Sequence, residues 1–443
     1  MRQTWLTILA LLLLIGCAPA QPESTPEATA TLDTPVDVPT ATLQPTQTVV
    51  LPGAMETAAP LPTGTPPPVG EETDTSPPPP NWEEMETWLL SAYQAGNTPE
   101  QLRPLLQEAM WQEDDSDFQA HDLTGDNQSE WLVTLYEAGV SREVAELPLP
   151  KLGQFWIVNG QGRQLQLDNR ASSFESAPEV VTVSDFTGDG IYDVVTAATG
   201  CGAHTCTQNY KVFSSHHGSF ENLVPVQNPD FEDSDAIAIS YSEAATADYT
   251  GDDVNDFSVS GGIVGSAGAG IQQGKTDVYS FDGQHMTLVD TRWEKTDYRH
   301  HRLYDANRAF DAGDYVDASD MYQSAIEDDS LMDVDAFSGD PETRDDIQLF
   351  AAFRLVLIGL LQNDLDMATE WDSWMRLVYP DRVLTDAASE AIQTFEGSGS
   401  VSAACASVNN LIAPIENVVG GASYLGYNNP ELTNENVCPV TAE

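Results

Sequence analysis

Basic residues are scarce in this chain, which has 17 lysines and arginines against 70 aspartates and glutamates and a formal net charge of −53. Proteins that bind nucleic acid carry a basic footprint that neutralises phosphates, so this balance argues against nucleic acid as a partner. It also argues against direct binding to anionic lipid head groups. An acidic surface of this density favours solubility and attracts divalent cations, so the carboxylates are the first candidates for function.

The apolar segment near the N-terminus, residues 5–15, is too short to cross a bilayer as a permanent helix. It is closed by Leu14-Ile-Gly-Cys17. This arrangement resembles a bacterial lipoprotein signal, which implies that residues 1–17 direct export and that Cys17 receives a lipid. The alternative is an ordinary secretory peptide that is cleaved a few residues later. The resemblance predicts a protein anchored to the cell-envelope membrane by that lipid alone, with its folded domains outside the cytoplasm.

Cysteines are few, with five in 443 residues. If Cys17 carries a lipid, four remain, and an even number in an exported chain indicates two disulfides. Four cysteines allow three pairings, of which proximity in sequence favours Cys201–Cys206 and Cys405–Cys438.

The segment 18–80 lacks lysine, arginine and hydrophobic periodicity, and it holds 16 prolines and 13 threonines. Such a composition cannot bury enough apolar surface to offset the entropy of ordering the chain. We therefore predict a disordered, extended linker that holds the folded part away from the membrane.

Three near-copies of one acidic loop recur at an interval of 63 residues, beginning at Asp122, Asp185 and Asp248. Each nine-residue copy has carboxylates at positions 1, 5 and 9, a threonine at position 3 and a turn residue at position 6. This donor set suits a hard cation, since calcium accepts about six to eight oxygen ligands in flexible geometry. The constant interval indicates a repeated structural unit.

The loops resemble the FG-GAP (VCBS) repeat of integrin-α-like β-propellers, whose Asp-x-Asn-x-Asp-Gly-x-x-Asp loop binds calcium. The match is best in the second copy. The other copies replace the glycine at position 6 by Asn127 or Asp253, residue types that tolerate a left-handed backbone. The resemblance implies up to three calcium ions, held by Asp122, Thr124, Asp126 and Glu130; by Asp185, Thr187, Asp189, Ile191 and Asp193; and by Asp248, Thr250, Asp252, Val254 and Asp256.

A β-rich run follows each loop, and a hairpin sequence such as Asp277-Val-Tyr-Ser-Phe-Asp-Gly follows later in each unit. We therefore expect three or four antiparallel strands per unit over residues 119–297. Three blade-like units are too few to close a propeller, which has about four to eight blades, so an open array capped by helices and a small sandwich-like stack both fit. Residues 81–118 ahead of them are predicted to form two short helices, the second beginning at the capping box Thr98-Pro-Glu-Gln101.

Beyond residue 298 the hydrophobic period changes from two to about 3.6. Residues 306–325 resemble a tetratricopeptide repeat, and a weaker copy runs over 349–380. The tail, 401–438, is expected to be a capping helix pinned by a disulfide. Helical hairpins outside that family are the alternative. The predicted fold class is thus α+β, with a β-repeat region between a short helical pair and an α-helical domain at 298–443.

No catalytic arrangement is evident in the sequence. Cys201 and Cys206 flank His204 but suit a disulfide better than zinc in an exported chain, and the glycine-rich segment 261–270 lacks a phosphate-loop Gly-Lys-Ser/Thr and is predicted to be a flexible loop. We therefore expect a binding or scaffold protein and not an enzyme, with an unidentified protein, peptide or glycan as its partner. The alternative is a secreted hydrolase in which the calcium loops are only structural.

Overall fold

The structure is a computed structural model, and it describes residues 76–137, 143–144, 147–148, 151–172, 175–216, 219–226, 235–334 and 343–440. The predicted signal peptide, Cys17 and nearly all of the predicted linker lie outside these residues. The described chain is α+β, as predicted, with eight α-helices and three main antiparallel sheets. Among the described helices, none combines the length and the apolar composition that a membrane crossing requires.

Two helices precede the first sheet. Helix α1 (Trp82–Gln94) begins after Asn81, whose side chain accepts a hydrogen bond from the Glu84 N–H at 3.1 Å. Helix α2 (Pro99–Glu108) begins at the predicted capping box, with proline in its first turn. The apolar faces of both helices pack on the first sheet through Met85, Leu89, Ala92, Leu102 and Leu106.

Each of the three β units forms its own sheet, in which four strands are neighbours in chain order. The first unit contains β1 (Phe118–His121), β2 (Glu130–Tyr136), a separate ribbon of β3 (Glu143–Val144) and β4 (Leu147–Pro148), then β5 (Gly153–Asn159) and β6 (Gly162–Asp168). The second contains β7 (Glu179–Ser184), β8 (Asp193–Cys201), β9 (Cys206–His216), β10 (Ser219–Asn222) and β11 (Ile237–Ser240), which also pairs with β9. The third contains β12 (Glu243–Ala247), β13 (Asp256–Gly261), β14 (Lys275–Phe281) and β15 (Met286–Trp293).

The sheets are stacked face to face. Side chains of β2 alternate between its two faces, so that Trp131 packs with α1 and α2 while Leu132 packs with Val194 of the second sheet. The second and third sheets share another core, in which the rings of Phe186 and Phe257 meet edge to face at 6.2 Å. The described β region is therefore an open stack, capped by the two N-terminal helices at the first sheet.

The C-terminal region contains three helical hairpins within the described residues. They are α3 (Arg299–Asp311) with α4 (Tyr315–Glu327), α5 (Thr343–Gln362) with α6 (Leu365–Val378), and α7 (Val383–Ser398) with α8 (Val401–Ile412). The sequence predicted the first two pairs and α8, and the structure adds α7 as its partner. Alanines form much of the buried face of α7.

Both disulfides have the pairing that proximity predicts. Cys201–Cys206 joins the facing ends of β8 and β9, and Cys405–Cys438 joins α8 to the C-terminal segment. Because Cys201 and Cys206 are bonded to each other, they do not form a zinc site.

The glycine-rich segment between β13 and β14 packs against the C-terminal segment and is not the free loop expected from the sequence. A Cβ atom on Gly270 would lie 2.0 Å from the Leu425 carbonyl oxygen, and one on Gly426 would lie 2.3 Å from the Ala269 carbonyl oxygen. Both glycines have positive φ, 87° and 111° respectively. Glycine at these positions permits a close backbone contact between the third sheet and the C-terminal segment.

Candidate metal centres in three stacked acidic loops

The three acidic loops occupy equivalent places, because each connects the first and second strands of its sheet. Loop 1 comprises residues 122–130, loop 2 comprises 185–193 and loop 3 comprises 248–256. Position 9 of each loop is the first residue of an inner strand, namely β2, β8 or β13. The repeat in the sequence therefore corresponds to a repeat in space.

Carboxylates at positions 1 and 5 of each loop accept hydrogen bonds from the loop's own backbone. Asp185 accepts from the N–H groups of Gly188 at 2.7 Å and Gly190 at 2.9 Å, and Asp189 accepts from the Ile191 N–H at 2.8 Å. The same pattern of donors recurs in loops 1 and 3. These bonds give all three loops the same turn.

The turn residue at position 6 is left-handed in every loop. Its φ is 84° at Gly190, 64° at Asn127 and 67° at Asp253. The prediction that asparagine and aspartate can replace glycine here is confirmed, although each carries a strain that glycine avoids.

The carboxylate at position 9 is buried in all three loops, since Glu130, Asp193 and Asp256 are at most 2% exposed. One oxygen of Asp193 accepts hydrogen bonds from the Phe186 and Thr187 N–H groups at 2.8 and 3.1 Å. Equivalent backbone bonds reach Glu130 and Asp256. The position-9 carboxylate thus ties the beginning of the loop to the beginning of the next strand.

Loop 2 contains two buried oxygens that lack a hydrogen-bond partner among the described residues, Asp193 Oδ1 and the Thr187 hydroxyl. Loop 3 contains one, Asp256 Oδ1. In loop 1 the equivalent atoms satisfy each other, because the Thr124 hydroxyl donates to Glu130 at 3.3 Å. A buried oxygen without a donor is costly, and a cation would satisfy it. Loop 2 therefore fits calcium best and loop 1 least.

Burial raises the pKa of two position-9 carboxyls. Burial raises the pKa of Asp193 to about 6, although the Ser214 hydroxyl and backbone N–H groups oppose this rise by favouring the charged form. The pKa of Glu130 rises to about 7 through burial, to which repulsion from Asp126 and Asp122 adds. A bound cation would oppose these shifts, because it stabilises the carboxylate.

The three loops also lie in a row and contact one another. The glycine at position 4 of one loop packs against the side chain at position 7 of the next loop. A Cβ on Gly125 would lie 3.0 Å from Ile191 Cδ1, and one on Gly188 would lie 2.9 Å from Val254 Cγ2. The side chains of Ile191 and Val254 therefore have a packing role. Of the predicted metal ligands, these two could contribute only their backbone carbonyls.

The two ends of this row differ from its middle. Loop 1 has no loop before it, and its position 7 is the exposed, polar Gln128. Loop 3 has no loop after it, and a Cβ on Gly251 would meet no described atom within 4 Å. The apolar character of position 7 in loops 2 and 3 follows from this contact.

Within the described residues, no group of three or more histidine, cysteine, aspartate or glutamate side chains is arranged as a metal cluster. The fit to calcium therefore depends on the oxygen-only donor set and the unpaired buried oxygens of loops 2 and 3. Comparison with known proteins adds no assignment, since no family model, curated protein or solved structure matches this chain.

Sequence reasoning did not identify a cleft at the junction of the third sheet, α3 and the C-terminal segment. Its residues, such as Lys275, Arg308 and Tyr427, come from segments far apart in the chain. No local motif marks them. The indication in the sequence is that six of the 17 basic residues lie between residues 275 and 308, in or just after the third β unit.

Proposed function

We propose that this chain is a calcium-stabilised binding protein of the cell envelope, carried on a Pro/Thr-rich spacer from a lipid on Cys17. Its ligand is a protein or a glycan. The observation that carries the proposal is the threefold recurrence of one acidic loop at one structural position, with unpaired buried oxygens in loops 2 and 3. The resemblance to FG-GAP and tetratricopeptide repeats, both typical of binding scaffolds, supports it.

Calcium suits these loops because every predicted donor is an oxygen, and the modest number of carboxylate ligands in each loop predicts weak binding. Exposed extracellular modules of this kind bind calcium with dissociation constants of about 10⁻⁴ to 10⁻³ M. Such an affinity is useful only where calcium is abundant, which agrees with an exported protein. The ion would hold together the loop and the start of an inner strand, so its effect would be on the stability of the β stack.

Thermal unfolding of the protein with calcium and with chelator tests the proposal. A cation that binds only the folded state at about ten times its dissociation constant adds about 1.4 kcal/mol per occupied site. Chelator should therefore lower the melting temperature, and calorimetry should detect up to three sites. Identical melts together with no heat of calcium binding would overturn the calcium assignment.

Single-loop variants rank the sites. Asp189→Ala should reduce calcium binding more than Asp252→Ala, and Asp126→Ala should reduce it least, because loop 2 has glycine at its turn and two unpaired oxygens. Equal losses in the three variants would contradict this ranking.

The envelope anchor has its own test. Cys17→Ser should release the protein into the soluble fraction, since a lipid on this residue is the membrane contact that the sequence predicts. Retention of the variant in the membrane fraction would contradict the lipid anchor. The hydrolase alternative would be supported by turnover of a substrate by the purified protein.

A further inference from the structure

The cleft at the junction of the third sheet, α3 and the C-terminal segment has a volume of about 470 Å³. This volume lies within the range of about 300 to 1,000 Å³ that is usual for small-ligand sites. The two sides of the cleft are held together by defined contacts. The Asn428 side chain donates to Gln272, and the Asn429 side chain donates to the Ile271 carbonyl oxygen at 3.0 Å. The cleft is therefore preformed.

Two basic side chains line this cleft. Lys275 and Arg308 line it, and none of its described lining residues is acidic, although acids outnumber bases 70 to 17 in the chain. Both cations lie over the Trp293 ring, with Lys275 Nζ at 5.9 Å and Arg308 Cζ at 4.1 Å from the ring centroid. The surface of this cleft is thus unlike the acidic remainder of the protein.

Each cation is also paired with an acid behind the cleft wall. Lys275 Nζ lies 2.6 Å from Asp277, and Arg308 pairs with Asp305 through Nη2. These acids hold the cations in place and balance their charge, so a ligand meets oriented N–H donors and not a net positive field. Such an arrangement suits one negative charge better than the two charges of a phosphate, and the planar guanidinium suits a carboxylate.

Tyr304 supplies an independent indication of a ligand. Its side chain lines the cleft and is 3% exposed, and its hydroxyl has no hydrogen-bond partner among the described residues. Burial raises the pKa of this hydroxyl, so it remains a neutral donor. A buried hydroxyl without a partner is costly to the free protein, and a small movement of the Tyr304 ring would open this hydroxyl to the cleft, where a polar ligand would satisfy it.

The C-terminal segment contributes an exposed ring and two hydrogen-bond acceptors. The Tyr427 side chain is 56% exposed beside Asn428 and Asn429. The hydrogen bonds of both asparagine side chains use the amide nitrogen, which leaves their oxygens as acceptors. A flat ring next to paired acceptors suits a ligand that has apolar C–H faces and hydroxyl donors at its edge.

We propose that this cleft binds a saccharide that carries one carboxylate. The carboxylate lies at Arg308 and Lys275, a ring oxygen or hydroxyl accepts from Tyr304, and the sugar ring stacks on Tyr427. This inference rests on the proposed function, because it names the ligand class of the binding protein. An acidic peptide would share the carboxylate, but the asparagine acceptors beside an exposed ring match a ring polyol more closely.

Calorimetric titration in calcium-containing buffer tests the proposal with two probes, a disaccharide that contains one galacturonate and one galactose residue and its neutral galactose disaccharide counterpart. The acidic disaccharide should bind at least about tenfold more tightly, since it alone engages the cations. Equal affinity for the neutral sugar would overturn the carboxylate assignment. Absence of binding by both sugars, or binding of an acidic peptide in their place, would overturn the saccharide assignment.

Tyr304→Phe removes only the unpaired hydroxyl. We expect about three- to tenfold weaker binding of the acidic disaccharide, with no loss of melting temperature, because that hydroxyl has no protein partner to lose. The matched control is Tyr322→Phe, whose hydroxyl donates to Asn307 at 2.6 Å outside the cleft. This control should lower stability and leave affinity unchanged. The opposite pattern would overturn the role of Tyr304.

Tyr427→Ala should weaken binding about tenfold through loss of the stacking surface. The matched control is Tyr424→Ala, since Tyr424 is similarly exposed at 48% but does not line the cleft. Equal effects of the two variants would overturn the site. If neither sugar binds but calcium still raises the melting temperature, the saccharide inference is wrong and the calcium assignment stands. If the acidic sugar binds but calcium has no effect on melting, the calcium assignment is wrong and the saccharide inference stands.

Discussion

The helical region and the β stack bury their apolar residues in different ways. The helical region has one continuous core that surrounds α5, a 20-residue helix buried on almost every side. The β region has three smaller cores, one at each junction along the stack of helices and sheets. A continuous core is stabilised as a unit, whereas a stack depends on the sum of its junctions.

The buried charged groups of the two regions also differ. In the β stack, a buried carboxylate begins the second strand of each sheet, and one of its oxygens accepts hydrogen bonds from backbone N–H groups of its loop. In the helical region, the buried Arg354 lies 4.4 Å from the Phe310 ring centroid and 5.2 Å from that of Phe350, and it donates to the Asn436 carbonyl oxygen. The β stack therefore offers repeated sites to a cation, and the helical core uses its own cation to hold the C-terminal segment.

Removal of the helical disulfide should have the largest effect. The bridge Cys405–Cys438 closes 33 residues, and its loss through Cys405→Ala with Cys438→Ala should lower the free energy of unfolding by about 3 to 4 kcal/mol. The shorter bridge Cys201–Cys206, with a separation of 5, should be worth about 2 kcal/mol. Urea unfolding of the two double variants measures both values. A larger loss from the β-stack bridge would reverse the expected order.

Acid should weaken the junction between the two regions, where His300 Nε2 and His301 Nε2 lie 3.0 and 2.9 Å from the Ile271 carbonyl oxygen of the segment before β14. Burial and the neighbouring His301 lower the pKa of His300 to about 3, and burial also lowers the pKa of His301, which Asp305 and Arg308 face. Unfolded histidine takes up its proton near pH 6.5, so stability is complete above this pH and is lost as the pH falls towards 3. At pH 5 the lowered pKa of His300 alone should reduce the free energy of unfolding by about 2 kcal/mol relative to neutral pH.

Urea unfolding at pH 7 and pH 5 measures this loss. His300→Leu should reduce the difference between the two pH values. The control His285→Leu removes a histidine from the hairpin between β14 and β15 and should leave the difference intact. If the difference in stability between pH 7 and pH 5 is unchanged in His300→Leu, protonation of His300 is not the cause of the loss of stability in acid.

The contact between neighbouring acidic loops should give the smallest effect. Gly188→Ala and Gly251→Ala both place a side chain at positive φ, 72° and 81°, but only the first meets Val254. Gly188→Ala should therefore lower the free energy of unfolding by about 1 to 2 kcal/mol more than Gly251→Ala does, because overpacking against Val254 adds to the backbone strain. Val254→Ala in the Gly188→Ala background should recover part of the difference. Equal losses in the two single variants would mean that the loops do not support each other.

Many local features could be predicted from the sequence because their causes are local. Alternation of apolar residues and turn signals predicted the antiparallel sheets, and the capping box at Thr98 predicted the start of α2. Spacing along the chain favoured both disulfides. Helix α7 was not predicted, although Leu384, Ala387, Ala391 and Phe395 recur at helical spacing on its buried face. The segment 261–270 was misinterpreted because a glycine that permits close packing and a glycine in a flexible loop are indistinguishable in sequence.

The sequence by itself determined the loop chemistry, since the carboxylates, the threonine and the turn residue of each loop interact within nine residues. Only the tertiary structure decided which loops touch, which oxygens remain unpaired and where the cleft forms. The Asn428–Gln272 contact joins residues 156 apart, and such a pairing depends on how the C-terminal segment packs back onto the third sheet. Hydrogen bonds within a turn follow from local dihedral angles, whereas a cleft between distant segments follows from the packing of whole elements.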